Sequence, residues 1–264
     1  MPKLAVLGHP VSHSRSPAMQ NAALAALGLE DWSYQAIDAA PDAFGMTVRE
    51  LADVGYAGVN VTVPHKEAAL ALADEASEAS RQIGAANTLV FGGKQIEAHN
   101  TDADGLLAAL PDPPRDRRAL VLGAGGAARA ALWALRWEGA AVEVWNRTPE
   151  RAEAICAELG GKAVLAPRQE SYDLIVNTSA AGLGGEDPFE HLPLRRESFA
   201  DSQTVVDMVY GERRSRLLKA AEGARATVVD GLEILVQQGA RSLELWTGRV
   251  PDLDVMRSAA AGGE

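Results

Sequence analysis

The stretch Val121-Leu122-Gly123-Ala124-Gly125-Gly126-Ala127-Ala128 constrains this 264-residue chain more than any other. An apolar strand, 119–122, runs into a GxGxxA turn, and a helix over 127–138 leaves it. Strand, turn and helix in that order open a nucleotide-binding α/β fold. Gly123 would make the tight turn, and Gly125 would admit a pyrophosphate close to the backbone. Ala128 would let the helix pack on the strand. The amides over Gly123, Ala124, Gly125, Gly126 and Ala127 then face an anion at a helix N-terminus. A ligand-free glycine turn is the competing explanation, and the register of the three elements argues against it.

The next strand, 142–145, discriminates between dinucleotides. Sites for NAD end this strand in an acid that holds the ribose hydroxyls. Here it ends Trp145-Asn146-Arg147-Thr148-Pro149-Glu150-Arg151, with no carboxylate at the strand end. Arg147 and Arg151, four apart, suit a 2′-phosphate taken in bidentate hydrogen bonds. The expected cofactor is therefore NADP. Thr148 also suits a helix N-cap before Pro149. Arg151 equally suits a pair with a glutamate on its own helix.

The alternation of strands and helices extends both ways. Strands are expected at 3–7, 34–38 and 58–63, with a hairpin over 88–91 and 95–98 turning at Gly92-Gly93. Further strands follow at 174–177, 204–208 and 227–229, and a long helix over 232–246. Ser16 as N-cap with Pro17 in the first turn opens the first helix, and Gly28 stops it. In 58–63, Val59, Val61 and Val63 would face one way, Asn60 and Thr62 the other. Pro111-Asp112-Pro113-Pro114 is a boundary candidate. The pattern predicts two α/β domains with largely parallel sheets.

Composition narrows the function classes. A net charge of −11 opposes nucleic acid and anionic membrane as partners. The only cysteine, Cys156, excludes an internal disulfide and a multi-cysteine metal site. The five histidines form no close ligand pair, so no metal is expected. No apolar run approaches a membrane span, and the short N-terminal one is no signal peptide. A soluble, cytoplasmic protein acting on a small molecule, as monomer or homodimer, is expected.

The first half holds a polar constellation suited to a polyhydroxylated acid. Ser14 and Ser16 flank Arg15 after the first strand, and Asn60 and Thr62 stand at a strand's carboxyl end, where open α/β sheets bind ligands. Lys66 falls in the first turn of a helix, against the dipole, which costs roughly 0.3–1 kcal/mol when exposed. A solvated surface lysine is the bland explanation; a lysine biased toward proton transfer is the functional one. The hairpin would bring Asn87 beside Asn100-Thr101-Asp102, although Asp102 alone suits a helix cap.

These segments resemble the shikimate dehydrogenase family. The resemblance rests on Gly8-His9-Pro10, His13-Ser14-Arg15-Ser16-Pro17, Asn60-Val61-Thr62-Val63-Pro64-His65-Lys66, Gly84-Ala85-Ala86-Asn87-Thr88 and Asn100-Thr101-Asp102. Asp207-Met208-Val209-Tyr210, Asp230-Gly231-Leu232 and Val236-Gln237-Gln238 extend it along nearly the whole chain. It implies Lys66 and Asp102 as the catalytic pair. Ser14, Ser16, Thr62, Lys66, Asn87, Asp102 and Gln238 would bind shikimate, with Tyr210 nearby. Gly123 to Ala127, Asn146, Arg147, Thr148, Arg151, Met208 and Gly231 would line the NADP site. It further implies an N-terminal substrate domain with a mostly parallel sheet over 1–102. A Rossmann-like NADP domain would cover 103–239, helices over about 240–264 would return to the first domain, and the ligands would meet in a cleft. The implied reaction is the reversible NADPH-dependent reduction of 3-dehydroshikimate to shikimate in aromatic amino acid (chorismate) biosynthesis. A quinate/shikimate dehydrogenase with broader substrate or NAD use is the alternative.

Overall fold

Short apolar strands alternate with helices and form two separate open sheets. The computed structural model describes residues 1–211 and 214–262. The chain divides into two units: Met1–Gly105 together with the chain from Leu235 onward, and Leu106–Ile234.

The first unit contains β1 (Lys3–Gly8), α1 (Ser16–Ala26), β2 (Ser33–Asp38), α2 (Phe44–Asp53) and β3 (Tyr56–Val61). It continues with α3 (Lys66–Leu72), β4 (Glu75–Ala76), α4 (Glu78–Ile83), β5 (Thr88–Gly92), β6 (Gln95–His99) and the start of α5 (Asp102–Ala109). The sheet order is β2-β1-β3-β5-β6-β4. Its pairs are parallel except where β5 runs against β3 and β6. Apolar residues of β1, β3, β5 and β6, with Phe44 and Val48 of α2, make its core.

The second unit holds β7 (Arg118–Leu122), α6 (Gly126–Trp137), β8 (Ala141–Trp145), α7 (Pro149–Leu159) and β9 (Lys162–Ala163). β10 (Leu174–Asn177), β11 (Thr204–Asp207), α8 (Arg216–Gly223) and β12 (Thr227–Asp230) complete it. The order β12-β11-β10-β7-β8-β9 is parallel throughout. This is the doubly wound Rossmann arrangement. Along β7, Ala119 and Val121 enter the core on one face, Leu120 and Leu122 that on the other. Such two-sided burial is why these strands read as continuous apolar runs. Helices α9 (Gly231–Thr247) and α10 (Leu253–Ala260) end the chain. The Trp246 indole of α9 donates to the Leu89 carbonyl at 3.0 Å.

Three local expectations need correction. Arg15, not Ser16, is the N-cap of α1, because Ser16 is already the first residue of the helix. The Ser14 hydroxyl therefore accepts from the Ser16 amide at 3.3 Å, and Ser16 is itself buried in the first turn. Val63 is 65% exposed, because β3 ends at Val61 and its alternation with it. At α5 the cap is Asn100, whose Oδ1 accepts from the amides of Asp102 (3.1 Å) and Ala103 (3.3 Å). The short elements β4, α4, β9 and α8 were not foreseen. α4 carries a Ser77 cap and a left-handed Gly84 as its end signals.

Candidate active site

Asn87 sits just before β5, and Thr101-Asp102 just after β6. The hairpin register pairs Thr88 with His99, so both ends of the unit meet. The Asn87 amide nitrogen lies 2.9 Å from Thr101 Oγ1, 3.0 Å from Asp102 Oδ1 and 3.1 Å from Gln238 Oε1. Its Oδ1 accepts from the Thr101 amide at 2.7 Å. With two N–H groups for three acceptors, Asn87 is fully engaged.

Lys66 reaches the same cluster from the start of α3. Its Nζ donates to Asp102 Oδ2 at 2.5 Å, with the two side chains 11% and 7% exposed. The surface-lysine explanation is therefore excluded. Asp102 opens α5, where the dipole favours an anion, and it compensates the cation placed against the dipole of α3. The Lys66 carbonyl accepts from the Ala86 amide at 2.8 Å, which fixes α3 to the segment carrying Asn87.

An ion pair this dry constrains stability as well as chemistry. Removing one partner strands a buried charge at a cost of about 3–5 kcal/mol, while replacing both with apolar groups is often neutral. Asp102→Ala is expected to lose stability on that scale, and Lys66→Met/Asp102→Leu to recover most of it. Denaturant unfolding checks this, and an equal loss in both variants would contradict it.

Of the other residues singled out from the sequence, Gln238 shares in this cluster. Gln238 is buried on α9, its Oε1 also within 3.3 Å of Thr101 Oγ1. Gln20 of α1 donates to the Gly239 carbonyl at 3.0 Å, which ties the helix of Ser16 to that of Gln238. Thr62 follows β3, its amide bonded to the Leu7 carbonyl at 2.8 Å. Asn60 is buried, accepting from the Tyr34 hydroxyl (2.7 Å) and donating toward Ser242 Oγ (2.9 Å).

Two supporting residues escaped the reading of side-chain roles. Ser242 is fully buried and bonds Thr88 (2.8 Å), Thr101 (3.1 Å) and the Gln238 carbonyl (3.0 Å). Only the partnership of α9 with β3 and β5 reveals it. His65 caps α3 by position. Its ring lies 4.4 Å from that of Phe44, stacked, and its Nε2 is 2.7 Å from the Ala39 carbonyl. Burial pushes the His65 imidazole below its ordinary pKa.

The glycine turn occupies the carboxyl edge of the second unit's sheet. Gly123 has φ +120°, and a Cβ there would lie 2.6 Å from Thr178 Oγ1. Gly125 caps α6 in extended backbone, and a Cβ there meets no atom within 4 Å. Gly125, Gly126 and Ala127 are partly exposed, while Ala124 and Ala128 are buried. The turn thus leaves room for a ligand against free helix amides.

Beyond β8, Asn146 Nδ2 donates to the Thr148 carbonyl at 2.8 Å, and Arg147 and Thr148 are exposed. Thr148 takes the N-cap position of α7 without a side-chain capping bond. Arg151 turns toward the glycine turn, its Nη2 3.4 Å from the Ala124 carbonyl. Gly231 packs on the turn after β11, where a Cβ would lie 2.8 Å from the Met208 carbonyl oxygen. Met208 and Tyr210, both partly buried, belong to this second unit.

Both units match models of one family. Residues 6–89 match the shikimate dehydrogenase substrate binding domain, 109–180 shikimate / quinate 5-dehydrogenase, and 231–261 the shikimate 5′-dehydrogenase C-terminal domain. The chain is 45% identical over 262 residues to a shikimate dehydrogenase (NADP(+)) of Thermus thermophilus, covering 98% of each. The chain belongs to the shikimate dehydrogenase family. The resemblance seen in its motifs is borne out. Another family member, the shikimate dehydrogenase (NADP(+)) of Methanopyrus kandleri, is 41% identical over 96% of this chain and 93% of its own. The Thermus thermophilus shikimate 5-dehydrogenase, solved with NADP(H) and shikimate, superposes with a TM-score of 0.90 at 43% identity, covering 98% of each chain. Among the described residues no helix is long and apolar enough to cross a membrane.

Proposed function

We propose that this chain is an NADP-dependent shikimate dehydrogenase, reversibly reducing 3-dehydroshikimate to shikimate in aromatic amino acid (chorismate) biosynthesis. The observation that carries the reading is the buried Lys66–Asp102 pair, held by Asn87 inside a cluster of hydroxyls and amides. A buried cation beside hydroxyl-binding groups suits a substrate whose oxygen gains charge during reaction.

NADPH supplies the hydride when bound. As the ketone carbon accepts it, the oxygen gains an electron pair, and the Lys66 ammonium stabilises the resulting alkoxide. Lys66 then gives that oxygen a proton and is reprotonated from solvent. Asp102 orients the Lys66 ammonium, and Asn87 holds Asp102 Oδ1. Ser14, Ser16, Thr62, Asn87 and Gln238 bind the substrate's hydroxyls and carboxylate, with Tyr210 assigned nearby. This assigns residues 1–102, with about 240–264, to substrate binding and catalysis, in a cytoplasmic enzyme.

The NADP domain lies within residues 103–239. The amides over Gly123 to Ala127 take the pyrophosphate, Asn146 to Arg151 take the 2′-phosphate, and Met208 and Gly231 complete the site. Arg147, just after β8, and Arg151, in the first turn of α7, are exposed cations, and β8 ends without the acid that NAD sites carry there. Arg147→Ala and Arg151→Ala are therefore expected to raise KM for NADPH at least ten-fold more than KM for NADH. Equal effects on both cofactors would remove the 2′-phosphate assignment.

The deciding experiment is a steady-state comparison of shikimate with quinate, each with NADP⁺ and NAD⁺. The highest kcat/KM is expected for shikimate with NADP⁺. Preference for quinate or NAD⁺ would move the chain to the broader quinate/shikimate activity.

A further inference from the structure

One buried acid takes no part in the chemistry above. Asp207 ends β11 at 1% exposure, in register with Asn177 at the end of β10 and Asp230 at the end of β12. Its Oδ1 accepts from Asn177 Nδ2 at 2.9 Å and from the Val209 amide at 3.1 Å. The Ser215 hydroxyl, which caps α8, also favours the ionised form of this carboxylate. Burial pushes this carboxyl above its ordinary pKa, while those donors oppose the shift.

An apolar residue would fill a strand end without this desolvation cost, so the carboxylate calls for an explanation. Its partners supply one. Asn177 Oδ1 accepts from the amide (3.1 Å) and hydroxyl (2.7 Å) of Ser179, whose Oγ accepts from the Ala181 amide at 3.2 Å. Between them Thr178 donates to the Leu122 carbonyl at 2.8 Å, and its Oγ1 abuts Gly123. On the other side, the Asp207 and Met208 carbonyl oxygens pack on Gly231. The Met208–Val209 turn and the loop bordering the glycine turn are thus tied by this carboxylate, alongside the backbone bond from the Met208 amide to the Asn177 carbonyl at 2.9 Å.

We propose that Asp207 is a positioning residue for the dinucleotide pocket, clamping the Met208–Val209 turn to the Asn177–Ala181 loop beside the glycine turn. The inference rests on the cofactor assignment made under Proposed function. The clamp acts on NADPH affinity and leaves the shikimate cluster, built within the other unit, unchanged.

Asp207→Ala is expected to raise KM for NADPH at least ten-fold, with shikimate KM and kcat at saturating NADPH within three-fold. Asp207→Asn keeps an oxygen for Asn177 and Val209, and is expected to restore NADPH KM to within three-fold of the parent. An NADPH KM within two-fold in Asp207→Ala, a parallel loss of shikimate affinity, or no recovery in Asp207→Asn would each overturn the proposal. If Asp207→Ala does not fold, Ser179→Ala loosens the same clamp. A three-fold or greater rise in NADPH KM then supports the proposal, and an unchanged KM overturns it. Gly125→Val serves as the control for the pocket. If it blocks NADPH and Asp207→Ala does not, the clamp alone fails; if neither affects NADPH, the pocket assignment fails with it.

Discussion

Lys66→Ala is expected to lower kcat by about 10²–10⁴-fold, the range of a positioned general acid, with little change in KM for shikimate. In the proposed site shikimate is also held by hydroxyl and amide groups, whereas alkoxide charge exists only as the hydride arrives. An interaction present only then lowers kcat and leaves ground-state binding alone. Lys66→Arg separates the two duties of the lysine. A guanidinium keeps the charge beside Asp102 but does not release a proton near neutral pH. It is expected to recover part of the loss and not all of it. Rapid-quench turnover with saturating ligands measures both variants, and near-normal turnover in Lys66→Ala would remove the catalytic role.

The sequence made Lys66 suspicious because a cation in a helix's first turn opposes the dipole, but the compensation lay elsewhere. Asp102 is 36 positions away, and the hairpin between them brings the two together. That hairpin was legible because two strand-like segments, 88–91 and 95–98, flank Gly92-Gly93, and with it the Asn87–Asp102 proximity, although the turn itself falls one residue later, at Gly93-Lys94, where Gly92 pairs with Gln95. The Rossmann half was legible for a similar reason: two-sided burial leaves long apolar strands, and a glycine marks the turn between strand and helix. Short elements were not legible. α4 spans six residues, too few for helical periodicity to emerge, and its cap and stop signals stand alone. Capping was misassigned at Ser16 and Asp102 by one or two residues, because a cap depends on where the backbone first turns helical. Ser242 bonds Asn60 across 182 positions, and nothing in its own sequence neighbourhood marks it. Local chemistry is readable where backbone geometry demands a residue type, and unreadable where only packing of distant elements does.

Gly125→Val is expected to abolish measurable NADPH binding while leaving the melting temperature close to that of the parent. Gly125 has φ −103° and ψ −170°, extended backbone that valine adopts without strain. Its added Cβ points into open space, so the substitution belongs with surface changes, within about 0.5 kcal/mol. The same open space is where the proposed site receives the pyrophosphate. Displacing it from two amides forfeits charged hydrogen bonds of about 1.5–3 kcal/mol each, and so about 100-fold or more in affinity. Gly123→Ala is the contrasting case two residues earlier. Its backbone at φ +120° disfavours any side chain, and the added Cβ collides with Thr178. That variant is expected to lose stability and NADPH affinity together, with strain on the order of 1–3 kcal/mol. Calorimetric melting with and without NADPH distinguishes them. Gly125→Val should melt normally and gain nothing from NADPH, and Gly123→Ala should melt early and gain part of the parent's shift. A normal NADPH shift in Gly125→Val would show that this glycine serves only the turn, and would move the phosphate site off the start of α6.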